Sequence, residues 1–460
     1  MLQIPVDLTP VDFRALTAAY PQRYPVLFDS VTEGTLARWS VLTIGSGASL
    51  WIDAKRRLHG VALPVPQREG FLATLDDWWR HEHAATAREP IAATGGSPWR
   101  AGWAIFLGYE LAAEIEPSLR LPAGPEDCLG FALRTPAALV FDHLTSSCTA
   151  VIDPGNRSLV DRTLADAREA PRTEFASTAH PLLLPGSLRE SSPEEFVTAL
   201  QRAQAHIGAG DIYQANLSRR WCGELAPNVT AAELYERLRV ANPAPFACRA
   251  QFAGLDIQSS SPERLLHIAD GQINTRPIAG TRPRLAQSTQ DREQVAALLA
   301  NHKERAEHVM LIDLERNDLG RVCAPGSVEV SEFMVVESYA HVHHIVSNVR
   351  GRLRADVTPV AALRAVFPGG TITGCPKVRC MKIIAQLEGQ GRGVYTGSLG
   401  WIGVDGSIDS NILIRTLSVT GRELSFRAGC GIVADSVAQL ELEETRAKAR
   451  GMLRALGEAA

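Results

Sequence analysis

The sequence predicts an α+β fold, because helical and strand-like segments are mixed without the regular βαβ rhythm of a parallel sheet. Residues 1–152 alternate short apolar runs with turn residues, which is typical of strands, and only 71–83 looks helical there. A linker-like composition follows at 153–191. We therefore expect a strand-rich N-terminal region at 1–152, a linker-like segment at 153–191, and a domain at 192–456 that carries almost all of the chemically informative residues and on which the first region packs.

Local signals predict the elements of the second half. Ser192, Pro193 and Glu195 have the spacing of a capped helix start, which predicts a helix over 193–209. Ser436 and Gln439 have the same spacing before a last helix at 437–455. The other predicted helices are 230–240, 290–312, a short one from Pro359, and 376–388. Strands are expected near 212–221, 246–267, 272–276, 335–350, 395–404, 408–418 and 424–428.

Composition narrows the class of protein. The 460 residues are 45% apolar and 21% charged, which is ordinary for a soluble globular chain. Lys and Arg total 47 against 51 Asp and Glu, so a basic face for nucleic acid is not expected. No apolar run is long enough to span a membrane, and the first residues lack the bases of a secretory signal. The eight cysteines form no CxxC pair. We expect a cytoplasmic protein with reduced thiols.

The last helix carries a charged face. Glu441, Glu444 and Lys448 are spaced i, i+3 and i+7, so they lie on one side of the helix. A solvated stripe would explain them, but the apolar stripe of this helix is weak, so the charged face could point inward. Glu307, on another helix, is followed by Val309 and Met310 and is expected near a buried edge. Two glutamates that converge from separate helices would suit a hard cation such as Mg²⁺.

Three further features each allow a functional and a structural interpretation. The Gly-rich loop at 368–374 precedes a helix. Its backbone N–H groups could bind an anion at the helix start, or the loop could be a plain tight turn. His344 alternates with valines along a strand and is either a core histidine or a catalyst. Glu263 could act as a general acid if its pKa is raised, or pair at the surface with Arg264 or Arg276.

Six segments together resemble the chorismate-utilising enzymes, the family of anthranilate synthase component I, aminodeoxychorismate synthase component I, isochorismate synthases and salicylate synthases. The segments are GDIYQANLSRR, SSSPERLL, RPIAGTRPR, RAEHVMLIDLERNDLGRV, VHHIVSNVRGRL with GGTITGCPKVR, and AGCGIVADS with ELEETRAKA. Their order and spacing match over roughly 190–455, and the first half is similar more loosely. The resemblance implies two packed, mostly antiparallel β-sheets with helices on the outside.

The resemblance also implies roles for individual residues. It implies Mg²⁺ held by Glu307 and Glu444, with Glu441 beside them, where the ion would bind the ring carboxylate of chorismate. Glu263 matches the acid that assists departure of the C4 hydroxyl, and His344 matches the active-site histidine. The residues that match the family's substrate pocket are Gly280, Thr281, Thr371, Tyr395, Arg415, Gly429, Gly431 and Lys448.

Gln214 favours an aminating member of the family. It occupies a position that resembles the one at which isochorismate synthases, which use water as the nucleophile, have a lysine base. A glutamine cannot deprotonate water. Asn216, the GGTITG loop and the chain length resemble aminodeoxychorismate synthase component I, with 4-amino-4-deoxychorismate as product for folate synthesis. Ala279 resembles anthranilate synthases instead, since a lysine nucleophile stands at this position in the best-known aminodeoxychorismate synthase.

The resemblance implies a partner as well. No glutaminase segment is recognisable in the sequence, so ammonia is expected from a separate glutaminase subunit. Ser30 follows an element similar to one that binds tryptophan in the family, although a turn after a strand would also explain it. A scaffold that binds chorismate or the glutaminase without turnover is the remaining alternative, and the joint presence of Glu263, Glu307, Glu444 and Lys448 argues against it.

Overall fold

The computed structural model describes residues 1–32, 37–86, 97–172, 180–284, 287–338 and 342–458. Its strands are β1 (Leu2–Val6), β2 (Val26–Asp29), β3 (Trp39–Ile44), β4 (Ser49–Asp53), β5 (Leu58–Val61), β6 (Gly102–Leu107), β7 (Cys128–Thr135), β8 (Ala137–Asp142), β9 (Ser147–Ile152), β10 (Arg189–Glu190), β11 (Gln214–Glu224), β12 (Phe246–Phe252), β13 (Leu255–Ser261), β14 (Arg264–Ala269), β15 (Gln272–Thr275), β16 (Ile278–Pro283), β17 (Glu329–Ser338), β18 (Val342–Arg352), β19 (Gly374–Cys375), β20 (Ser398–Gly403), β21 (Ile408–Asn411), β22 (Thr416–Thr420) and β23 (Glu423–Ile432). Its helices are α1 (Pro10–Ala19), α2 (Phe71–Thr86), α3 (Ala112–Ile115), α4 (Ser158–Glu169), α5 (Pro193–Gly208), α6 (Ala231–Ala241), α7 (Ser288–Ala300), α8 (His302–Gly320), α9 (Pro359–Val366), α10 (Lys377–Glu388) and α11 (Ala438–Leu456).

The strands form two large antiparallel sheets. The first sheet runs β1-β9-β8-β3-β2-β12-β13-β22-β23-β11-β10, and β19 also pairs with β11. The second runs β16-β18-β15-β14-β21-β20-β6-β7-β4-β5, and β17 also pairs with β18. Helices are interspersed along the chain without parallel crossovers between neighbouring strands. The predicted α+β class and the pair of antiparallel sheets are confirmed.

The two sheets pack face to face over an apolar core. Val26 and Ile257 from the first sheet meet Phe106 and Phe131 from the second in one buried cluster. On the outside, α5, α10 and α11 cover the first sheet around β11 and β23, whereas α2, α8 and α9 cover the second. Burial of apolar surface, at about 25 cal/mol per Å², stabilises this layered arrangement. The candidate acids Glu307, Glu441 and Glu444 lie near the N-terminal ends of α8 and α11, and both helices belong to the outer layers.

Helix starts were predicted with mixed success. Ser192 caps α5 as expected, since its hydroxyl accepts a hydrogen bond from Glu195 N at 3.1 Å. The cap predicted at Ser436 is wrong, because α11 begins after Val437. The Ser436 hydroxyl instead accepts from Val433 N and donates to Glu441 Oε1 at 2.7 Å. A capping-box spacing is therefore not sufficient where the hydroxyl finds other partners nearby.

One predicted helix and one predicted strand are each two separate elements in the structure. The helix expected over 290–312 is two helices, α7 and α8, which meet at Asn301. Asn301 Oδ1 accepts a hydrogen bond from Glu304 N at 3.2 Å and so caps the second helix. The strand expected over 335–350 is β17 and β18, which pair with each other as a hairpin. Helix α1, with a capping box between Thr9 and Asp12, was not predicted.

Strands of the first 152 residues belong to both sheets. Strand β2 pairs with β12 in the first sheet, and β6 pairs with β20 in the second. The segment 153–191 contributes α4 and β10. The boundaries at 152 and 192 stay a prediction. Among the described helices, none combines the length and the apolar character that a membrane crossing requires.

Candidate active site

Strand β23 forms one wall of the candidate site. Gly429 and Gly431 lie on the same face of this strand, two residues apart. A Cβ atom at Gly431 would lie 2.0 Å from Gln214 Nε2, and one at Gly429 would lie 2.8 Å from Tyr395 Oη. Only glycine permits so close an approach. The buried side chains of Gln214 and Tyr395 thus lie directly against the glycine backbone that the sequence singled out, and burial raises the pKa of Tyr395.

Glu263 is a buried acid beside this wall. It follows β13, and the residue as a whole is only 5% exposed. The Thr371 hydroxyl from the Gly-rich loop donates a 2.8 Å hydrogen bond to Glu263 Oε1. Burial raises the pKa of Glu263 to about 7, against the opposing effects of the Thr371 hydrogen bond and the positive charges of Lys448 and Arg415. A carboxyl with this pKa is partly protonated at neutral pH and can act as a general acid.

The surface ion pair considered for Glu263 is not present. Arg264 pairs with Asp409 at 2.9 Å. Arg276 pairs with Glu332 at 2.6 Å and with Glu337 at 2.5 Å. Both arginines are therefore engaged by other carboxylates, and the general-acid role of Glu263 stays a prediction.

His344 lies in β18, opposite Thr281 of β16. Its Nδ1 atom is 3.4 Å from the carbonyl oxygen of Gly280, a glycine with φ of +73°. Burial lowers the pKa of His344 to about 3, and the positive charge of Arg415 adds to this effect. The imidazole is therefore neutral at physiological pH. The side chain of Thr281 lies outside the part of the chain that the structure describes.

Arg415 supplies positive charge to the same region. Its φ of 51° is unusual for a residue other than glycine, and such conformations cluster at functional sites. Burial lowers the pKa of Arg415, and the charge of Glu263 opposes that effect. Since both Glu263 and His344 respond to Arg415, the three side chains share one electrostatic environment.

Lys448 and Glu444 form an ion pair on α11. Lys448 Nζ lies 2.8 Å from Glu444 Oε1, and the two side chains are 44% and 48% exposed. Lys448 Nζ also donates a 3.0 Å hydrogen bond to the Gly429 carbonyl, which ties α11 to the wall of the site. Partial burial opposes the charged form, but Glu444 raises the pKa of Lys448 above its ordinary value. The charged face of α11 is thus exposed at Glu444 and directed toward the site at Lys448.

The three candidate metal ligands have suitable chemistry but do not form a closed cluster. Glu307 is half-buried on α8, and Glu441 is held by Ser436. Among the residues that the structure describes, no three His, Cys, Asp or Glu side chains group closely enough to hold a metal ion. Mg²⁺ usually keeps several waters and needs only one or two carboxylates besides its substrate. The donor set of Glu307 and Glu444 therefore fits Mg²⁺, and the assignment stays a prediction.

The Gly-rich loop places the Thr371 side chain beside Glu263. Gly374 N bonds Gly370 O at 3.1 Å, and the Thr373 hydroxyl bonds Gly369 O at 2.9 Å, so the loop is folded on itself as a tight turn. The helix after it begins at Lys377, one residue later than the sequence suggested. The turn therefore accounts for much of the loop's backbone, and its contribution to the site is the Thr371 hydroxyl.

Glu304 was missed by the sequence reasoning. Its Oε2 atom is buried and makes no hydrogen bond to any described residue, and it lies 2.8 Å from where a Cβ on Gly280 would be. Arg282 binds the other oxygen at 2.7 Å. Glu304 precedes Glu307 by three residues, the same i, i+3 spacing as Glu441 and Glu444. That repeated spacing was the signal that could have identified it.

A buried charge network beneath Tyr395 was also missed. Glu388 accepts from Arg392 at 2.8 Å and from Arg427 at 3.0 Å, and the Ser218 hydroxyl donates to it at 2.8 Å. Burial opposes ionisation, but the two arginines hold the pKa of Glu388 below its ordinary value. Such a paired network can fix the position of the strand and helix that carry the site.

Ser30 directly follows β2. Its hydroxyl donates to the Trp39 carbonyl at 2.7 Å, and its backbone N–H donates to the Ser40 hydroxyl. The neighbouring Asp29 is buried and pairs with Arg239 at 2.6 Å. These contacts fit the structural interpretation of a turn after a strand, and tryptophan binding at Ser30 stays a prediction.

The amino-acid sequence of this chain matches one known protein family. The family model described as chorismate binding enzyme matches residues 27–454. Aminodeoxychorismate synthase component 1 of Bacillus subtilis (strain 168) is 42% identical over 323 residues, which are 69% of this chain and 68% of that protein. Anthranilate synthase component 1 of Pseudomonas putida is 38% identical over 467 residues, 97% of this chain and 92% of that protein.

A solved structure shares the fold. Anthranilate synthase component I from Streptococcus pneumoniae TIGR4 superimposes with a TM-score of 0.77 at 29% identity, over 91% of this chain and 93% of that one. Relatives with two different product names thus match this chain at similar identity.

Proposed function

This chain belongs to the chorismate-binding enzymes, and we propose that within that family it aminates chorismate, with 4-amino-4-deoxychorismate as the product. The observation that carries amination is Gln214, whose side chain packs against Gly431 in the wall of the site. A neutral amide cannot take a proton from water at this position. Ammonia, which is already a nucleophile, needs no such base.

The charges of the site suit a dianionic substrate. Arg415 and Lys448 lie near Glu263 and supply two positive charges. Tyr395 and the backbone of Gly429 and Gly431 would complete the carboxylate contacts, together with Gly280, Thr281 and Thr371. Glu307 and Glu444, with Glu441 beside them, would hold Mg²⁺, and the ion would supply the positive charge that neutralises the ring carboxylate. The Lys448–Glu444 pair is half-exposed and so contributes only about 0–1 kcal/mol, which leaves Glu444 able to exchange its partner.

Glu263 is the proposed acid. It would give its proton to the C4 hydroxyl, which leaves as water, while the nitrogen of ammonia forms a new C–N bond and keeps its three protons as an ammonium group. The neutral imidazole of His344 can accept or donate a hydrogen bond without adding charge beside Arg415. A scaffold without turnover would have no use for a buried carboxyl whose pKa is raised to about 7, since such a group costs stability when it ionises.

Ala279 favours a second candidate function, that of anthranilate synthase component I. It lies in β16 next to Gly280 and has no nucleophilic atom, so a covalent lysine intermediate is excluded at this position. Anthranilate synthases are also among the relatives of this chain. For the 4-amino product, ammonia itself would have to perform the displacement.

The ammonia would come from a separate glutaminase subunit in a cytoplasmic complex. The support for this proposal is that the relatives of this chain are named as components. A supply of free ammonium would replace the partner in the test.

Chromatography of the products from chorismate, ammonium and Mg²⁺ tests the proposed function. We expect 4-amino-4-deoxychorismate without release of pyruvate. Anthranilate with pyruvate would establish the second candidate, and the absence of any amino product would refute amination altogether.

A further inference from the structure

Glu263 loses its proton in every turnover, yet it lies almost completely buried. The C4–O bond breaks with its electron pair on oxygen, that oxygen takes the Glu263 proton, and water leaves. Glu263 remains as a carboxylate and must regain one proton before the next cycle. The need for this proton rests on the proposed function, and it is the same for either amino product, because both require departure of the hydroxyl.

A second buried carboxyl lies close to the same loop. Glu315, on α8, is 6% exposed. Its Oε1 atom is 3.4 Å from where a Cβ on Gly370 would lie, and the next residue, Thr371, bonds Glu263. The two carboxyls therefore flank adjacent residues of the Gly-rich loop, and the charge of Glu263 contributes to a raised pKa of Glu315.

Beyond Glu315, an ion pair leads to a cavity. Asp318 is one helical turn further along α8 and is 3% exposed. It binds Lys377 Nζ and, at 2.8 Å, Arg321. All three side chains line a cavity of about 820 Å³, which residues of α8 and α10 and the largely exposed Tyr213 border.

We propose that Glu315 is a relay that returns a proton to Glu263 from the cavity at Asp318 and Lys377. In this path Glu315 gives its proton to the Glu263 carboxylate and then takes one from water in the cavity by way of Asp318. One O–H bond is broken and one is formed in each transfer, so the balance is one proton from solvent per turnover. Glu315 acts through Glu263 and does not touch the substrate, which makes it a positioning residue.

The surroundings of Glu315 suit this task. Burial is the largest cause of its raised pKa, followed by the charge of Asp318, while Lys377 opposes them. Thr275 from β15, which lowers this pKa, and Glu263, which raises it, also act on Glu315. Because the pKa values of Glu263 and Glu315 are both raised to about 7, each carboxyl is partly protonated at neutral pH. The free energy of moving a proton from one carboxyl to the other is therefore small.

Glu315→Gln tests the relay, because an amide of the same shape cannot pass a proton onward. The full chain is assayed with chorismate, ammonium and Mg²⁺. We expect the steady-state kcat to fall about tenfold or more, with kcat/KM for chorismate unchanged, because binding and the chemical step precede the return of the proton. After equilibration at pH 6, where Glu263 is protonated at the start, a single turnover with enzyme in excess should proceed at the wild-type rate. Glu315→Asp should restore part of the steady-state rate.

Asp313→Asn is the matched control. Asp313 is on the same helix and lines the same cavity, but it is exposed and pairs with Arg316. Its replacement should leave both rates unchanged. Equal losses in the single-turnover and steady-state rates of Glu315→Gln would show a structural role, and normal rates in both would show no role. Either result overturns the relay while leaving amination intact, whereas a wild-type chain that forms no amino product overturns the proposed function.

Discussion

Replacement of Glu263 by Gln should lower the turnover of the enzyme and raise its free energy of unfolding. The amide keeps the shape of the side chain but has no proton to give to the leaving hydroxyl. Since general acid catalysis typically contributes about 10²- to 10⁴-fold, we expect turnover to fall by that factor. Binding of chorismate in the presence of Mg²⁺ should be largely retained, because the carboxylate contacts assigned to Arg415 and Lys448 are unchanged.

The gain in stability follows from the pKa of Glu263. Burial raises this pKa from an ordinary 4.5 to about 7. Below pH 4.5 the carboxyl is neutral in the folded and unfolded chains alike. As the pH rises toward 7, only the unfolded chain ionises, so the free energy of unfolding falls, by about 3 kcal/mol in total at 1.36 kcal/mol per pKa unit. The Gln variant, which is neutral throughout, avoids this loss.

Urea unfolding measures the effect. Glu263→Gln should be more stable than the wild type by up to about 3 kcal/mol at pH 8 and by less than about 1 kcal/mol at pH 5. Glu423→Gln, on the exposed end of β23, is the control and should change neither stability nor turnover. Equal stabilities at pH 8 would mean that the carboxyl ionises with an ordinary pKa. Near-normal turnover would remove Glu263 as the acid.

Three further substitutions test other parts of the site. Glu444→Ala should abolish Mg²⁺ binding measured by calorimetry together with activity, and an unchanged Mg²⁺ titration would refute the ligand assignment. Ala279→Lys should yield a covalent adduct with chorismate that mass spectrometry detects if the pocket still accommodates a lysine route, and an unmodified mass would show that it does not. Gly431→Ala should displace Gln214, because the new Cβ would lie 2.0 Å from its Nε2 atom. We expect about 1–3 kcal/mol lower stability and a higher KM for ammonium, and wild-type values for both would show that Gln214 moves without consequence.

The local elements were predictable where one short stretch of sequence contains both partners of a contact. Ser192 and Glu195 are three residues apart, and their cap forms as expected. The same logic would have found the division at Asn301, whose side chain caps α8 through Glu304. It failed at Ser436 because the hydroxyl binds Glu441 and Val433 instead. Competition among nearby partners, which spacing does not reveal, decided that helix start.

The candidate site depended on contacts that are distant in sequence. The sequence by itself determined the family and the α+β class and predicted Glu263, Gln214 and Lys448 as site residues, because motif spacing and periodicity are local properties of the chain. Only the tertiary structure brought Thr371 to Glu263 across 108 positions and buried that carboxyl. Ionisation depends on burial and on neighbouring charges, and both arise when the two sheets and their covering helices pack. For that reason the charge states of Glu263, His344 and Glu315 were decided by the fold.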